Sequence, residues 1–216
     1  MLGGLLKTSA IVSILLVSTP VLADEEAQSD QICDASSLDS KPGRDWEAAY
    51  GWRYNTSWAD NQAAKDAENL ANRQRAYEAL LLGQSPWPDW YPPQMTALQP
   101  GTLFQMAMSP TSTDANGKPL GQPDDRPGGF GTFDMITSVE DVREYLAVIR
   151  QFKEDVDRIN TYRVTEPLPV LLGPIGPQID AEACELLPGR YSQFQMIVPK
   201  TQRMTYVEFV SSRPVN

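Results

Sequence analysis

The sequence of 216 residues contains no histidine. This absence excludes Ser-His-Asp and Cys-His catalysis, zinc sites of the His-x-x-x-His type and a histidine general base. Any chemistry must therefore use carboxylates, amides, aromatic rings, arginine, lysine or a bound ion. No metal site is predicted, because the two cysteines cannot close a zinc site on their own.

Basic residues are scarce. The chain has 18 lysines and arginines against 28 aspartates and glutamates, which gives a formal net charge of −10. An acidic surface argues against nucleic acid and against anionic membranes as partners. A nucleotide ligand would therefore need a local basic pocket.

A long apolar run is also missing, apart from a short one near the N-terminus. Ile11–Val17 is apolar except for Ser13, Lys7 precedes it, and a small-residue pattern ends at Ala23. This arrangement is typical of a secretory signal peptide and is too short for a comfortable membrane span. We expect residues 1–23 to be removed and the mature chain to be secreted or periplasmic, without stable membrane insertion. An uncleaved anchor is the alternative.

Cysteine is limited to Cys33 and Cys184. In an oxidising compartment, one disulfide between them is the natural prediction, and two free thiols are the alternative. The bond would tie the start of the mature chain to the loop before residue 190.

Residues 24–95 are predicted to form an N-terminal helical, aromatic-rich extension. Its first part, 24–43, is expected to be extended, and 58–82 has helical composition with Ser57 as a cap. A connector dense in proline and tryptophan follows at 85–93. Its rings are expected to cover the core, with a sugar- or peptide-binding surface as the alternative.

Residues 96–216 are predicted to form an α+β domain, a small mixed or antiparallel sheet with one packed amphipathic helix. Strands are expected within 98–108 and 130–137, and a last strand at Met204–Val210. Ser138 and Asp141 form a variant capping box that begins the helix. Its apolar face repeats at helical spacing over six residues: Val139, Val142, Leu146, Ile149, Phe152 and Val156.

Two further strands carry the candidate site. Pro167 and Pro169 lack N–H groups, so the strand around them is expected at a sheet edge or with an irregular start. In the following strand, alternation predicts a buried face and a second face with amides and a ring that could line a cleft. The alternative is that its glutamines face water. The two faces are Ser192, Phe194, Met196 and Val198 against Tyr191, Gln193, Gln195 and Ile197.

The same region resembles a known family. Residues 162–177 read Tyr-Arg-Val-Thr-Glu-Pro-Leu-Pro-Val-Leu-Leu-Gly-Pro-Ile-Gly-Pro, and 188–198 read Pro-Gly-Arg-Tyr-Ser-Gln-Phe-Gln-Met-Ile-Val. They resemble the C-terminal half of the TNT family of NAD glycohydrolases, named after a necrotising toxin, over roughly residues 126–210. The resemblance implies a fold related to ADP-ribosyltransferases, toxin-like cleavage of the nicotinamide–ribose bond of NAD or NADP as substrate, no cofactor, and an immunity protein among the partners to consider.

The resemblance also implies roles for particular residues. Gln193 would be catalytic and orient ribose or water, Arg126 would bind phosphate, and Phe133 would stack on nicotinamide. Arg190 and Tyr191 would add to the substrate site, with Arg190 supplying positive charge.

The sequence departs from the family at the arginine loop. Pro127 follows Arg126 where the family has an aromatic residue, and an alignment on Pro100-Gly101-Thr102 would place Met106 at the arginine position. Two other functions therefore stay open. One is a catalytically inactive TNT-like binding module, and the other is an envelope- or glycan-binding secreted protein built on the aromatic segment 46–91.

Overall fold

A computed structural model describes residues 34–83, 85–110 and 125–215, which all belong to one compact unit. The predicted signal peptide and Cys33 lie outside the described residues. The disulfide and the export of the chain therefore stay predictions. Within the described ranges, no helix is both long and apolar enough to cross a membrane.

Two helices open the described chain, α1 (Lys41–Tyr50) and α2 (Gln62–Leu82), with one 3₁₀ turn at Gly51–Tyr54 between them. Asn61 caps α2, since its side chain accepts a hydrogen bond from the Ala64 N–H. The predicted cap, Ser57, is instead buried. Its N–H donates to Asn69, and its hydroxyl donates to Glu68.

The strands form three antiparallel sheets. This arrangement confirms the α+β class with a small antiparallel sheet. The first sheet has the order β1-β5-β8-β3, the second β2-β4-β9, and the third is the ribbon β6-β7. The strands are β1 (Gln94–Leu98), β2 (Leu103–Met108), β3 (Phe130–Gly131), β4 (Arg158–Val164), β5 (Leu168–Pro174), β6 (Gln178–Asp180), β7 (Glu185–Leu187), β8 (Ser192–Met196) and β9 (Val207–Pro214). The predicted boundary between residues 95 and 96 falls inside β1.

The strand β5 is central, with β1 on one side and β8 on the other, so the predicted edge position is wrong. Pro169 pairs with Ala97, and its carbonyl accepts from the Ile197 N–H. The missing N–H points toward β8 just where that pairing begins, at Val170. The proline therefore removes only an end bond of the ladder.

The core between the two larger sheets is aromatic. Phe104 stacks on Tyr162 with ring centroids 5.5 Å apart and meets Phe194 edge to face at 5.0 Å. Phe194, Met196 and Val198 are buried, as the alternation predicted. A separate cluster joins α1 and α2 to the β6-β7 ribbon through Trp46, Tyr77 and Ile179.

The predicted long helix after Ser138 is wrong in its length. The capping box forms, since Asp141 N–H donates to the Ser138 hydroxyl and Ser138 N–H donates to the Asp141 carboxylate. A single π-helical turn, Asp141–Tyr145, follows and ends before Ala147, whose φ is +48°. Its apolar residues still reach the core, except Phe152, which is exposed.

The physical reason lies in the carbonyls at the end of that turn. A continuing α-helix would bond the Glu144 and Tyr145 carbonyls to N–H groups four residues on. Here the Glu144 carbonyl accepts from Gly189, and the Tyr145 carbonyl accepts from Arg190 and Tyr191. The loop that leads into β8 therefore supplies the hydrogen-bond donors that the rest of the helix would have supplied. The same bonds fix this loop to the π-helical turn.

Candidate functional site

The Gln193 side chain lies on the side of β8 that faces away from the aromatic core. Gln193 pairs with Gly173, and a Cβ on Gly173 would be 3.3 Å from Trp87 and from Pro93. Because paired residues of antiparallel strands project to the same face, Gln193 points beneath this aromatic connector. The residue as a whole is 7% exposed, so most of the Gln193 side chain is covered.

The Gln193 amide has no hydrogen-bond partner among the residues that the structure describes. Hydrogen bonds of the strand ladder and of residues 132–134 hold its neighbours on β8, but none of these bonds reaches the Gln193 side chain. Neither amide atom is among the buried side-chain atoms that lack a partner, so the amide end of this mostly buried side chain reaches solvent, where it can bind water or a ligand. The side chain can offer both an N–H₂ donor and a carbonyl acceptor.

Asp134 fixes the start of β8. Its carboxylate accepts from the Ser192 N–H at 2.7 Å, from the Ser192 hydroxyl at 3.0 Å and from the Thr132 hydroxyl at 3.2 Å. The Thr132 hydroxyl also lies 2.7 Å from the Ser192 carbonyl. These contacts hold the residue directly before Gln193 from its backbone and its side chain.

Tyr191 lies between Gln193 and the π-helical turn. Its hydroxyl donates to the Met135 carbonyl at 3.4 Å, and its ring lies 5.0 Å from that of Tyr145. Burial, followed by the charges of Asp141 and Asp134, raises the pKa of the Tyr191 hydroxyl above its ordinary value. The group therefore stays protonated and can act as a donor.

Phe133 lies on the other side of β8. Its ring stacks on Phe194 at 5.2 Å, and 41% of it is exposed. Since Phe194 and Gln193 alternate along one strand, the two predicted site residues flank β8 from opposite faces. A ligand touching both must pass around the open end of β8 beside Ser192.

Arg190 turns away from Gln193. Its guanidinium lies 5.7 Å from the Tyr145 ring, at a cleft of about 690 Å³. Neither Gln193 nor Phe133 lines this cleft, and its charged residues are of both signs: Lys41, Arg143, Arg150 and Arg190 with Glu140, Glu144, Glu154 and Glu185. The cleft is thus not the local basic pocket that a nucleotide would require.

Arg126 is exposed in the segment before β3. The Asp125 carbonyl accepts from the Tyr162 hydroxyl, and the Pro127 carbonyl accepts from Arg203. Met106, the alternative arginine position, is buried in the core. Met106 therefore supplies no positive charge beside this loop. Such a charge must come from Arg126 or from a basic residue of another element.

Three residues near the predicted site were not foreseen: Trp87, Asp134 and Arg203. Trp87 was expected as a core cover or as part of a sugar- or peptide-binding surface, and in the structure it lies over the face that carries Gln193. No local signal identifies Asp134 or Arg203, because both reach β8 and its neighbouring loop by tertiary contacts alone. Among the described residues, no group of three or more acidic or cysteine side chains could hold a metal ion.

No protein-family model matches this chain, and a comparison with curated proteins finds no match. Solved structures with a similar arrangement include Tne2 in complex with Tni2, at a TM-score of 0.46 and 21% identity over 60% of this chain and 97% of that one. Rhs1-CT in complex with its cognate immunity protein RhsI1 gives 0.38 and 17% over 61% and 85%. Tse6 in complex with Tsi6 gives 0.36 and 14% over 78% and 96%. At these values the likeness assigns neither a site nor an activity.

Proposed function

We propose that this protein is a secreted NAD(P) glycohydrolase with a toxin-like role. The observation that carries the proposal is the mostly buried Gln193, whose amide end has no partner among the described residues and which lies under an aromatic connector. It is also the residue that the TNT-like sequence pattern implies as catalytic. An unpartnered amide that reaches solvent next to aromatic rings is suited to a polar, ring-containing substrate.

The reaction breaks the bond between C1′ of the ribose and the nicotinamide nitrogen, and a water oxygen forms the new bond to C1′. Neutral nicotinamide leaves with the bonding electrons, and the water releases one proton to solvent. The transition state resembles an oxocarbenium ion, as in glycoside hydrolysis. Since the leaving group is already cationic in the substrate, the protein needs no histidine.

The residues of β8 then have defined tasks. The Gln193 carbonyl oxygen accepts a hydrogen bond from the attacking water or from a ribose hydroxyl. This contact places the partial negative charge of the amide oxygen near the positive charge that develops on the ribose. Tyr191 lies at the same end of the strand, where its hydroxyl donates to the Met135 carbonyl and its oxygen can accept from a ribose hydroxyl. Phe133 or Trp87 provides an aromatic surface for nicotinamide, one on each side of β8.

The test compares the mature chain from Asp24 with its Gln193→Ala variant on a fluorescent NAD analogue. We expect wild type to cleave it and Gln193→Ala to lose about 10²-fold in rate, the usual loss for one charge-stabilising group. The matched control is Gln195→Ala, which removes an amide from the same face beside Leu171 and Phe130. Equal losses in both variants, or no cleavage by folded wild type, would contradict the proposal.

A second function is favoured by the exposed tryptophans of the aromatic segment. Trp58 is 95% exposed and Trp52 is 62% exposed, and Arg53 lies between Trp52 and Trp90 at 4.5 and 4.4 Å from their centroids. Exposed rings of this kind stack on sugars. An envelope- or glycan-binding protein would lose binding in Trp58→Ala and be unaffected by Gln193→Ala, which is measured on a glycan array.

A catalytically inactive binding module is the other alternative to the enzyme. Inactivity would follow from the altered arginine loop, in which Pro127 follows Arg126, and folded protein would then bind NAD without turnover.

The proposal also includes an immunity-type partner. Rhs1-CT is a protein solved with its cognate immunity protein. An equivalent partner of this chain would cover Gln193 and abolish cleavage of the fluorescent analogue at a one-to-one ratio.

A further inference from the structure

Arg203 lies over the glycine-rich loop that precedes β3. Its Nη1 donates to the Pro127 carbonyl across 3.5 Å, a long hydrogen bond. Its Nη2 lies 3.5 Å from the point where a Cβ on Gly129 would stand. The guanidinium therefore lies within van der Waals distance of the side-chain position of Gly129.

The charge of this guanidinium is not compensated within the described part of the chain. Its Nε is buried without a hydrogen-bond partner, and Arg203 is in none of the ion pairs. A buried N–H of a charged group costs several kcal/mol unless it is paired. An anion at this point would supply the missing acceptor.

The loop itself adds backbone donors. Gly128 is exposed and Gly129 half-buried, and neither N–H group has an acceptor among the described residues. The Gly129 carbonyl accepts from the Met196 N–H, which fixes the loop to the end of β8. Adjacent glycine N–H groups beside an arginine make a phosphate cradle.

We propose that Arg203, with the Gly128–Gly129 backbone, binds the diphosphate of a dinucleotide substrate. This inference rests on the proposed function and names a cation that the sequence pattern did not assign. From Gly129 to Phe133 the chain runs four residues, or about 13 Å in extended form. A dinucleotide lying along β3 thus reaches from its diphosphate at Arg203 to a nicotinamide at Phe133.

The first test measures equilibrium binding of ADP by calorimetry to the mature chain and to Arg203→Gln, which keeps most of the side-chain length and removes the charge. We expect Arg203→Gln to weaken ADP binding at least tenfold and Arg203→Lys to restore part of it. The matched control is Arg163→Ala, which removes the same charge from an exposed arginine paired with Glu208. Thermal unfolding of each variant confirms that the fold is kept.

The second test separates this inference from the proposed activity. Arg203→Gln should raise KM for NAD, whereas the control Arg163→Ala should leave KM unchanged. Cleavage of NAD with unchanged KM and unchanged ADP binding in Arg203→Gln would overturn the role of Arg203 and leave the glycohydrolase standing. ADP binding that depends on Arg203 without NAD cleavage would support the anion site and overturn the enzyme.

Discussion

At the residue scale, Gly131 is a position with little freedom near the site. It pairs with Phe194, and a Cβ there would come within 2.6 Å of the Phe194 ring and 2.9 Å of the Phe104 ring. Neither ring can move without disturbing the edge-to-face contact at the centre of the core. Glycine at this position is therefore a packing requirement between β3 and β8.

We predict that Gly131→Ala lowers the free energy of unfolding by about 1–3 kcal/mol, because the added methyl overpacks a dense core. The measurement is urea unfolding followed by tryptophan fluorescence. The control is Gly128→Ala, whose Cβ would meet only the Met106 sulfur at 3.9 Å. If both variants unfold at the same urea concentration as wild type, the predicted destabilisation by crowding at Gly131 is contradicted.

Asp134 is a positioning residue at the same scale. We predict that Asp134→Ala leaves the Ser192 N–H and hydroxyl without their acceptor and lets the start of β8 move. Turnover of the fluorescent NAD analogue should fall about tenfold or more, as expected when a reacting group is displaced by about 1 Å. Asp134→Asn, which keeps an acceptor oxygen, should recover much of the rate. Identical rates for Asp134→Ala and wild type would contradict this role.

At the element scale, the capping box decides the stability of the π-helical turn and so of the loop before β8. Asp141 accepts from the Thr137 N–H at 2.5 Å, the Thr137 hydroxyl at 2.6 Å and the Ser138 N–H at 3.1 Å. The Thr137 hydroxyl is the main cause that lowers the pKa of Asp141, against the effect of its burial. The charged form is thus the one that the fold stabilises.

We predict that Asp141→Asn lowers the free energy of unfolding at pH 7 by about 1–2 kcal/mol, the range for a capping group. The folded pKa of Asp141 lies below that of the unfolded chain, about 3.9. Its stabilisation is therefore complete above that pH and is lost as pH falls through the folded pKa. Urea unfolding between pH 7 and pH 3 should show the gap between wild type and variant closing with acid. A gap that stays constant would contradict the assignment.

At the scale of the whole molecule, the N-terminal helices and the sheets share one described unit. Trp46 and Tyr77 are buried against Ile179 of the β6-β7 ribbon, and the Tyr50 hydroxyl donates to the Pro188 carbonyl just before the loop that leads to Gln193. The helical segment therefore supports the region that carries the candidate site.

We predict that Trp46→Ala destabilises the entire chain by about 3–5 kcal/mol and lowers a single cooperative transition, because it leaves a large cavity under α1 and α2. Trp46 is only 1% exposed. The matched control is Trp58→Ala, which removes an exposed ring and should change stability by less than about 0.5 kcal/mol. Circular dichroism at wavelengths reporting on strands distinguishes the cases. If the strand signal of Trp46→Ala is lost at the same temperature as in wild type, the helices form an independent module and the prediction is contradicted.

The alternation in β8 was enough to predict which side of this strand is buried, since period-two patterning is a local property. The Ser138–Asp141 cap was likewise predictable from two residues three positions apart. The length of the helix that follows was not, because its carbonyls are taken by residues some 45 positions further along, at Gly189–Tyr191. Local propensity favoured a longer helix, and tertiary hydrogen bonds ended it.

The sequence by itself determined the α+β class, the absence of histidine chemistry, the acidic balance and the choice of Gln193 as the residue to test. The first three follow from composition and short-range periodicity, which are read without knowing any long-range contact, whereas the choice of Gln193 came from the resemblance to the TNT family. Only the tertiary structure decided that Gln193 is buried opposite Gly173 beneath Trp87, that Phe133 lies on the other face of β8, and that Arg203 reaches the glycine loop. The physical reason is that strand pairing and side-chain packing join residues distant in sequence, and such pairs leave no periodic trace in the chain.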